Sequence, residues 1–159
     1  MHISIICVGK IKEKYFTMAA EEYKKRLSRY CRLEIIEVSD ESTPDNASDN
    51  LENRIKEKEA SRILKYIKDD AYVITLELNG KMLDSIELAN HMEKLAVSGK
   101  GNIVFVIGGS LGLHQSVSQR ADFKLSFSRM TFPHQLMRVI LLEQIYRSYR
   151  ITNGEPYHK

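Results

Sequence analysis

Asn102-Ile103-Val104-Phe105-Val106-Ile107-Gly108-Gly109-Ser110-Leu111-Gly112-Leu113 passes from an unbroken apolar run straight into a glycine-rich loop. Residues 103–107 leave no polar side, so the strand they predict must be covered on both faces, as in a parallel sheet flanked by helices. Three glycines in the next five positions permit positive φ and a close backbone approach to a ligand. Phosphate is the first ligand such a loop suggests. No Gly-Lys-Ser/Thr follows, which excludes a P-loop. The spacing is not Gly-x-Gly-x-x-Gly with an acid about 20 residues on, which argues against a dinucleotide fold. A plain tight turn is the alternative for the loop taken alone.

Outward from that strand, two periodicities alternate. Strands are expected at residues 2–8, 33–38, 71–76 and 124–127. Helices are expected over 14–30, from near Ser48 through Ile67, from an Asp84 N-cap to about Val97, over 114–121 and over 133–149. Asn79-Gly80 reads as a turn, and Gly99 and Gly101 end the third helix. The pattern predicts an α/β fold, an open and mostly parallel sheet with helices on both faces, in a single domain spanning residues 1–159. Ligands in such sheets bind beyond the carboxyl ends of the strands. Leu76-Glu77, Gly108-Gly109 and Ser126-Phe127 are therefore candidate pocket walls.

With 43% hydrophobic and 28% charged residues, the composition excludes a disordered or fibrous chain. No apolar run approaches the roughly 20 residues that span a bilayer, and residues 1–8 are too short for a signal peptide, so a cytoplasmic protein is expected. Cys7 and Cys31 sit in strand-like runs, where buried, reduced thiols are expected. Lys and Arg outnumber Asp and Glu eight to three over residues 1–33 and seven to three over 120–159, but are outnumbered seven to fifteen over 34–93. Basic ends around an acidic middle fit an electropositive surface facing a polyanion, or simply a solvated charged surface.

The last helix is apolar all round: Leu136, Met137, Val139, Ile140, Leu141, Leu142, Ile145 and Tyr146 point in nearly every direction. Such a helix must be buried all round, and one open sheet of this size cannot cover it, so a homodimer is expected. His134, Gln135 and Arg138 group on one side, and Glu143, Arg147 and Arg150 on another. Charged residues in such a setting are paired, interfacial or catalytic. The tail, Glu155-Pro156-Tyr157-His158-Lys159, either frays or covers a pocket.

Val106 to Gly112, Leu125 to Leu136 with Arg138, Glu143 to Arg147, and Pro156-Tyr157-His158 together resemble the ribosomal RNA large subunit methyltransferase H family of the SPOUT superfamily. The resemblance covers essentially the whole chain. It implies a homodimer with a deep trefoil knot over about residues 70–159. It further implies transfer of a methyl group from S-adenosylmethionine to N3 of a pseudouridine in 23S ribosomal RNA. Carried over by position, it implies cofactor contacts at Leu76, Gly108, Phe127, Ser128, Arg129, Met130, Thr131 and Phe132, and no metal.

Removing the N3 proton of a uracil-type base leaves charge on the flanking carbonyls, which a guanidinium stabilises. Arg138 is the candidate for that, with His158 or His134 as proton acceptor and Tyr157 as a stacking or positioning group. Lys10, Lys12, Lys14, Lys24, Lys25, Arg26 and Arg29 are candidate phosphate contacts. Two classes compete: a nucleotide-binding or phosphotransfer enzyme, which needs a Lys at the phosphates and a carboxylate for magnesium that the sequence does not place at the right offset, and a non-enzymatic, ribosome-associated RNA-binding dimer. The latter would share the basic ends but has no use for the glycine loop or the 127–132 segment.

Overall fold

The computed structural model describes all residues from Met1 to Lys159. Five strands, β1 (His2–Val8), β2 (Arg32–Val38), β3 (Tyr72–Met82), β4 (Asn102–Ile107) and β5 (Phe123–Ser126), form one sheet in the order β2-β1-β4-β3-β5. Every pairing is parallel, so the sheet goes beyond the mostly parallel arrangement expected. Five helices accompany them: α1 (Lys14–Leu27), α2 (Asp49–Leu64), α3 (Ser85–Val97), α4 (Gln115–Arg120) and α5 (His134–Thr152).

Alternation along β1 and β4 sorts the core into two layers. Ile3, Ile5, Cys7, Ile103, Phe105 and Ile107 pack against α1, α3 and α5. Ile6, Val8, Val104 and Val106 pack against α2 and α4 through Ala60, Ile63 and Val117. Both strands are therefore apolar at nearly every position, as a strand with helices on both faces requires. Ser48 caps α2 by accepting from Leu51 N at 3.2 Å, and Asp84 and Glu87 form a reciprocal capping box on α3. No helix is long and apolar enough to cross a membrane. Both cysteines are free; Cys7 is buried and Cys31 half-buried.

Three elements depart from the sequence expectation. The first helix stops at Leu27, and Ile67 falls beyond the end of α2. The strand expected to end at Leu76 continues to Met82 after a break in register, because both Leu76 and Lys81 face Leu125. Residues 77–80 bulge out between them, and a Cβ on Gly80 would lie 2.7 Å from the Lys124 carbonyl oxygen. Glycine is thus required there by backbone approach rather than by an isolated turn.

Candidate functional site

All strands point the same way, so their carboxyl ends gather along one edge of the sheet. A cavity of about 350 Å³ opens there between the ends of β3, β4 and β5 and the first turn of α5. Leu76, Glu77 and Leu78 form one wall and the loop 107–113 a second. Leu125, Phe127, Ser128, Met130, Thr131 and Phe132 form the third, and His134 and Met137 close the side.

The glycine loop owes its shape to itself. Gly112 N donates to Gly109 O at 3.1 Å, and Gly112 has φ of 85°. A Cβ on Gly108 would come 3.0 Å from both the Gly112 carbonyl carbon and Leu113 Cδ2. On Gly109 it would press on Val8 and on the buried carboxyl of Glu59 beneath the loop. The 127–132 wall is held by two bonds at its root: Ser126 Oγ donates to Ser128 O at 3.1 Å, and Met130 N to Ser128 Oγ at 3.0 Å.

The cavity's electrostatics are distinctive. No Lys or Arg lines it, and its one carboxylate is Glu77. Thr75 Oγ1 and Ser118 Oγ each donate to Glu77 at 2.6 Å. A site of this sign does not suit a di- or triphosphate. It suits a cation with an apolar body.

The structure brings together eight of the twelve residues singled out in the sequence. Leu76, Gly108, Phe127, Ser128, Met130, Thr131, Phe132 and His134 share this cavity. Arg129 stands on the same segment but is exposed and does not line it. His134 is half-buried, and burial, then the nearby Arg138 and Lys12 charges, lower its pKa against an opposing pull from Asp40.

Arg138 is also absent from the cavity wall. It is 3% exposed, donating to Glu37 Oε2 at 2.7 Å and to the Gly9 carbonyl at 3.1 Å. It braces α5 against the ends of β1 and β2. A buried guanidinium requires such partners, but Glu37 is 101 residues away in the chain and nothing local announces it.

Tyr157 and His158 lie elsewhere. Tyr157 donates to Glu143 Oε1 at 2.9 Å, with Arg147 over its ring at 4.6 Å, and His158 Nδ1 is 3.2 Å from Arg147 Nη1. At 1.5 Å rise per residue, Arg147 is about 15 Å along α5 from Met137 on the cavity. The tail does not fray, since Arg150 holds Glu155 in an ion pair and the Pro156 carbonyl at 2.9 Å. Glu77, Leu111, Leu113 and Met137 also line the cavity, though none carries a role of its own in the sequence: Glu77 is expected there only as a pocket wall at a strand end, Leu111 and Leu113 only as part of the glycine loop, and Met137 only as an apolar position of the last helix.

Residues 1–158 match the family model described as "Predicted SPOUT methyltransferase". The chain belongs to the SPOUT methyltransferase family. Within it, the chain is 64% identical over 159 residues to the ribosomal RNA large subunit methyltransferase H of Clostridium novyi, covering all of both chains. It is 64% identical, over the same full length, to the protein of that name from Clostridium tetani. Its place in the methyltransferase H family, which the motifs suggested, is thereby established. The fold of this SPOUT methyltransferase also resembles a solved structure titled a probable methylase family protein from Haemophilus influenzae Rd KW20. That match has a TM-score of 0.56 at 14% identity and covers 99% of this chain and 70% of the other.

Proposed function

We propose that this SPOUT methyltransferase transfers the methyl group of S-adenosylmethionine to N3 of a pseudouridine in 23S ribosomal RNA, acting as a cytoplasmic homodimer. The observation that carries the cofactor assignment is the cavity itself: apolar walls, a glycine loop that exposes backbone, one carboxylate and no cation. Leu76, Leu78, Leu111, Leu113 and Phe127 fit a purine, and Glu77 fits the positive charge of a sulfonium or amine.

When bound, S-adenosylmethionine supplies an electrophilic methyl carbon, which takes an electron pair from N3 while the C–S pair remains on sulfur. The protein's task is to align the base and exclude water. His134, held neutral beside the cavity, accepts the N3 proton. Arg138 is a positioning residue here: its charge helps keep His134 neutral, and its bonds fix the first turns of α5. The anion-stabilising role first considered for it has no support from its placement.

Two features support the dimer. Residues 134–151 include no exposed position, yet Leu136, Val139 and Ile140 are only half-buried. Leu78, Met130 and Phe132 stand exposed at the cavity mouth. An antiparallel crossing of two α5 helices sets the carboxyl end of one over the amino end of the other. Tyr157 and His158 then serve the partner's cavity rather than their own. The chain acts as one SPOUT domain over residues 1–159, with the portion from about residue 70 forming the trefoil knot.

Calorimetry and a transfer assay test this together. Binding heat with S-adenosylmethionine but not with ATP, and tritium passing from labelled S-adenosylmethionine to 23S ribosomal RNA in ribosomes, are expected. Folded protein that gives no heat with S-adenosylmethionine or its demethylated product overturns the proposal.

A further inference from the structure

The segment that joins β1 to α1 is fixed against the first turn of α5, which closes one side of the cavity, by bonds that do not belong to either β1 or α1. Lys12 N donates to Gln135 Oε1 at 2.9 Å, Glu13 N to the same oxygen at 3.5 Å, and Ile11 N to Glu37 Oε2 at 3.4 Å. Gly9, which opens the segment, accepts from Arg138, and a methyl group on its Cα would lie 3.6 Å from His134 Nε2. Gln135 immediately follows His134, so the loop is held beside a cavity-lining side chain.

On this fixed backbone the side chains face water. Lys10, Lys12 and Lys14 are exposed, and none forms an ion pair. Tyr15 is 63% exposed, braced edge-on by Phe16 at 4.6 Å between ring centroids. Further along α1, Lys24 is paired with Glu21 at 3.1 Å and Arg26 with Glu22 at 2.9 Å, while Lys25 is exposed without an ion pair and Arg29 lies over the ring of Tyr30. The basic amino-terminal region seen in the sequence is therefore not uniform. Only at its cavity end do unpaired lysines, Lys10, Lys12 and Lys14, stand beside an exposed aromatic, Tyr15; the tyrosines near Lys25 and Arg29 are half-buried.

We infer that residues 10–15 form a ledge on which the RNA strand flanking the target nucleotide lies, with Lys12 and Lys14 on phosphates and Tyr15 stacked on a neighbouring base. The ledge rests on the RNA methyl transfer proposed above. Its chemistry is that of single-stranded recognition: point charges for the backbone and a ring that accepts any base. Such recognition suits a substrate whose target base must leave its stack to enter a cavity. A ledge already held in place loses little conformational freedom when RNA arrives.

The test uses full-length protein and ribosomes lacking the modification, with co-sedimentation over a range of KCl concentrations and the KM for ribosomes in methyl transfer. Calorimetry with S-adenosylmethionine is run in parallel. Lys12→Ala combined with Lys14→Ala is expected to weaken ribosome binding about tenfold and to flatten the log–log salt slope by about 0.7–0.9 per lost contact. Tyr15→Ala is expected to weaken it about tenfold with the slope unchanged, and Tyr15→Phe to restore it. Lys65→Ala combined with Lys68→Ala removes the same charge beyond the carboxyl end of α2, on the opposite edge of the sheet, and should leave binding unchanged. S-adenosylmethionine affinity should be constant throughout. Ledge variants that bind and methylate like the wild type overturn the ledge while leaving the methyltransferase proposal intact. A wild-type protein that binds S-adenosylmethionine yet neither sediments with ribosomes nor methylates them overturns both.

Discussion

At the scale of single residues, the structure separates side chains that the sequence could only group. His134 and Arg138 share one side of a helix and were both read as chemical. Only His134 reaches the cavity; Arg138 is buried on Glu37 and Gly9. The sequence supplied residue type and periodicity, whereas the assignment depended on a partner brought from the end of β2. A pH prediction follows from His134, faced by Arg138, Lys12 and Asp40. Its pKa lies below the ordinary value of about 6.5, so it is neutral at pH 7. The acid limb of single-turnover methyl transfer should therefore have its midpoint below 6.5. His134→Gln should remove that limb and slow transfer about 100-fold. For folding, a lowered histidine pKa adds stability that is complete above about 6.5 and is lost as pH falls through the lowered value. Transfer that keeps its rate and its acid limb in His134→Gln rules out the proton-acceptor role. Arg138→Ala should lower stability by about 2–4 kcal/mol in urea melts, by opening a void, leaving the Gly9 carbonyl unbonded and depriving Glu37 of its cationic partner. An unchanged melting midpoint would mean that the brace carries no weight.

At the scale of elements, local rules served where one segment determines its own form. Ser48 and Asp84 were legible as helix starts because an N-cap is decided within four residues, and both caps are present. Asp84→Ala should cost about 1 kcal/mol, measured as a shift in urea midpoint with the slope unchanged. The bulge in β3 was not legible. Asn79-Gly80 has the composition of a turn, and its pairing on both sides with Leu125 exists only because β5 arrives alongside. The glycine records that arrival. Gly80→Ala would push a methyl group into the Lys124 carbonyl and separate β3 from β5. It should lower the urea midpoint well beyond the capping variant and weaken S-adenosylmethionine binding, since Leu76 and Phe127 sit on either side of the disturbed pairing. If Gly80→Ala melts like the wild type, the 2.7 Å approach is relieved by a small backbone shift and the pairing is more tolerant than argued.

At the scale of the whole molecule, the apolar last helix was the sequence's strongest indication that one copy is incomplete. Folding covers much of α5 with α1 and α3, leaving half-buried Leu136, Val139 and Ile140 and the exposed residues at the cavity mouth. The position of the tail sharpens the point. Tyr157 and His158 are held to Glu143 and Arg147, well along α5 from the cavity that His134 lines. If the tail serves the other protomer, the two halves of a site lie on different chains, and complementation between inactive variants becomes possible. Mixing His134→Gln with Tyr157→Ala/His158→Ala, after denaturing and refolding together, gives mixed dimers with one site doubly altered and one site intact. With random pairing, half the dimers are mixed and each has one working site, so about a quarter of wild-type transfer should return. Each variant alone should remain slow. A tail that serves its own cavity gives no recovery at any mixing ratio, because every cavity then carries one lesion or the other.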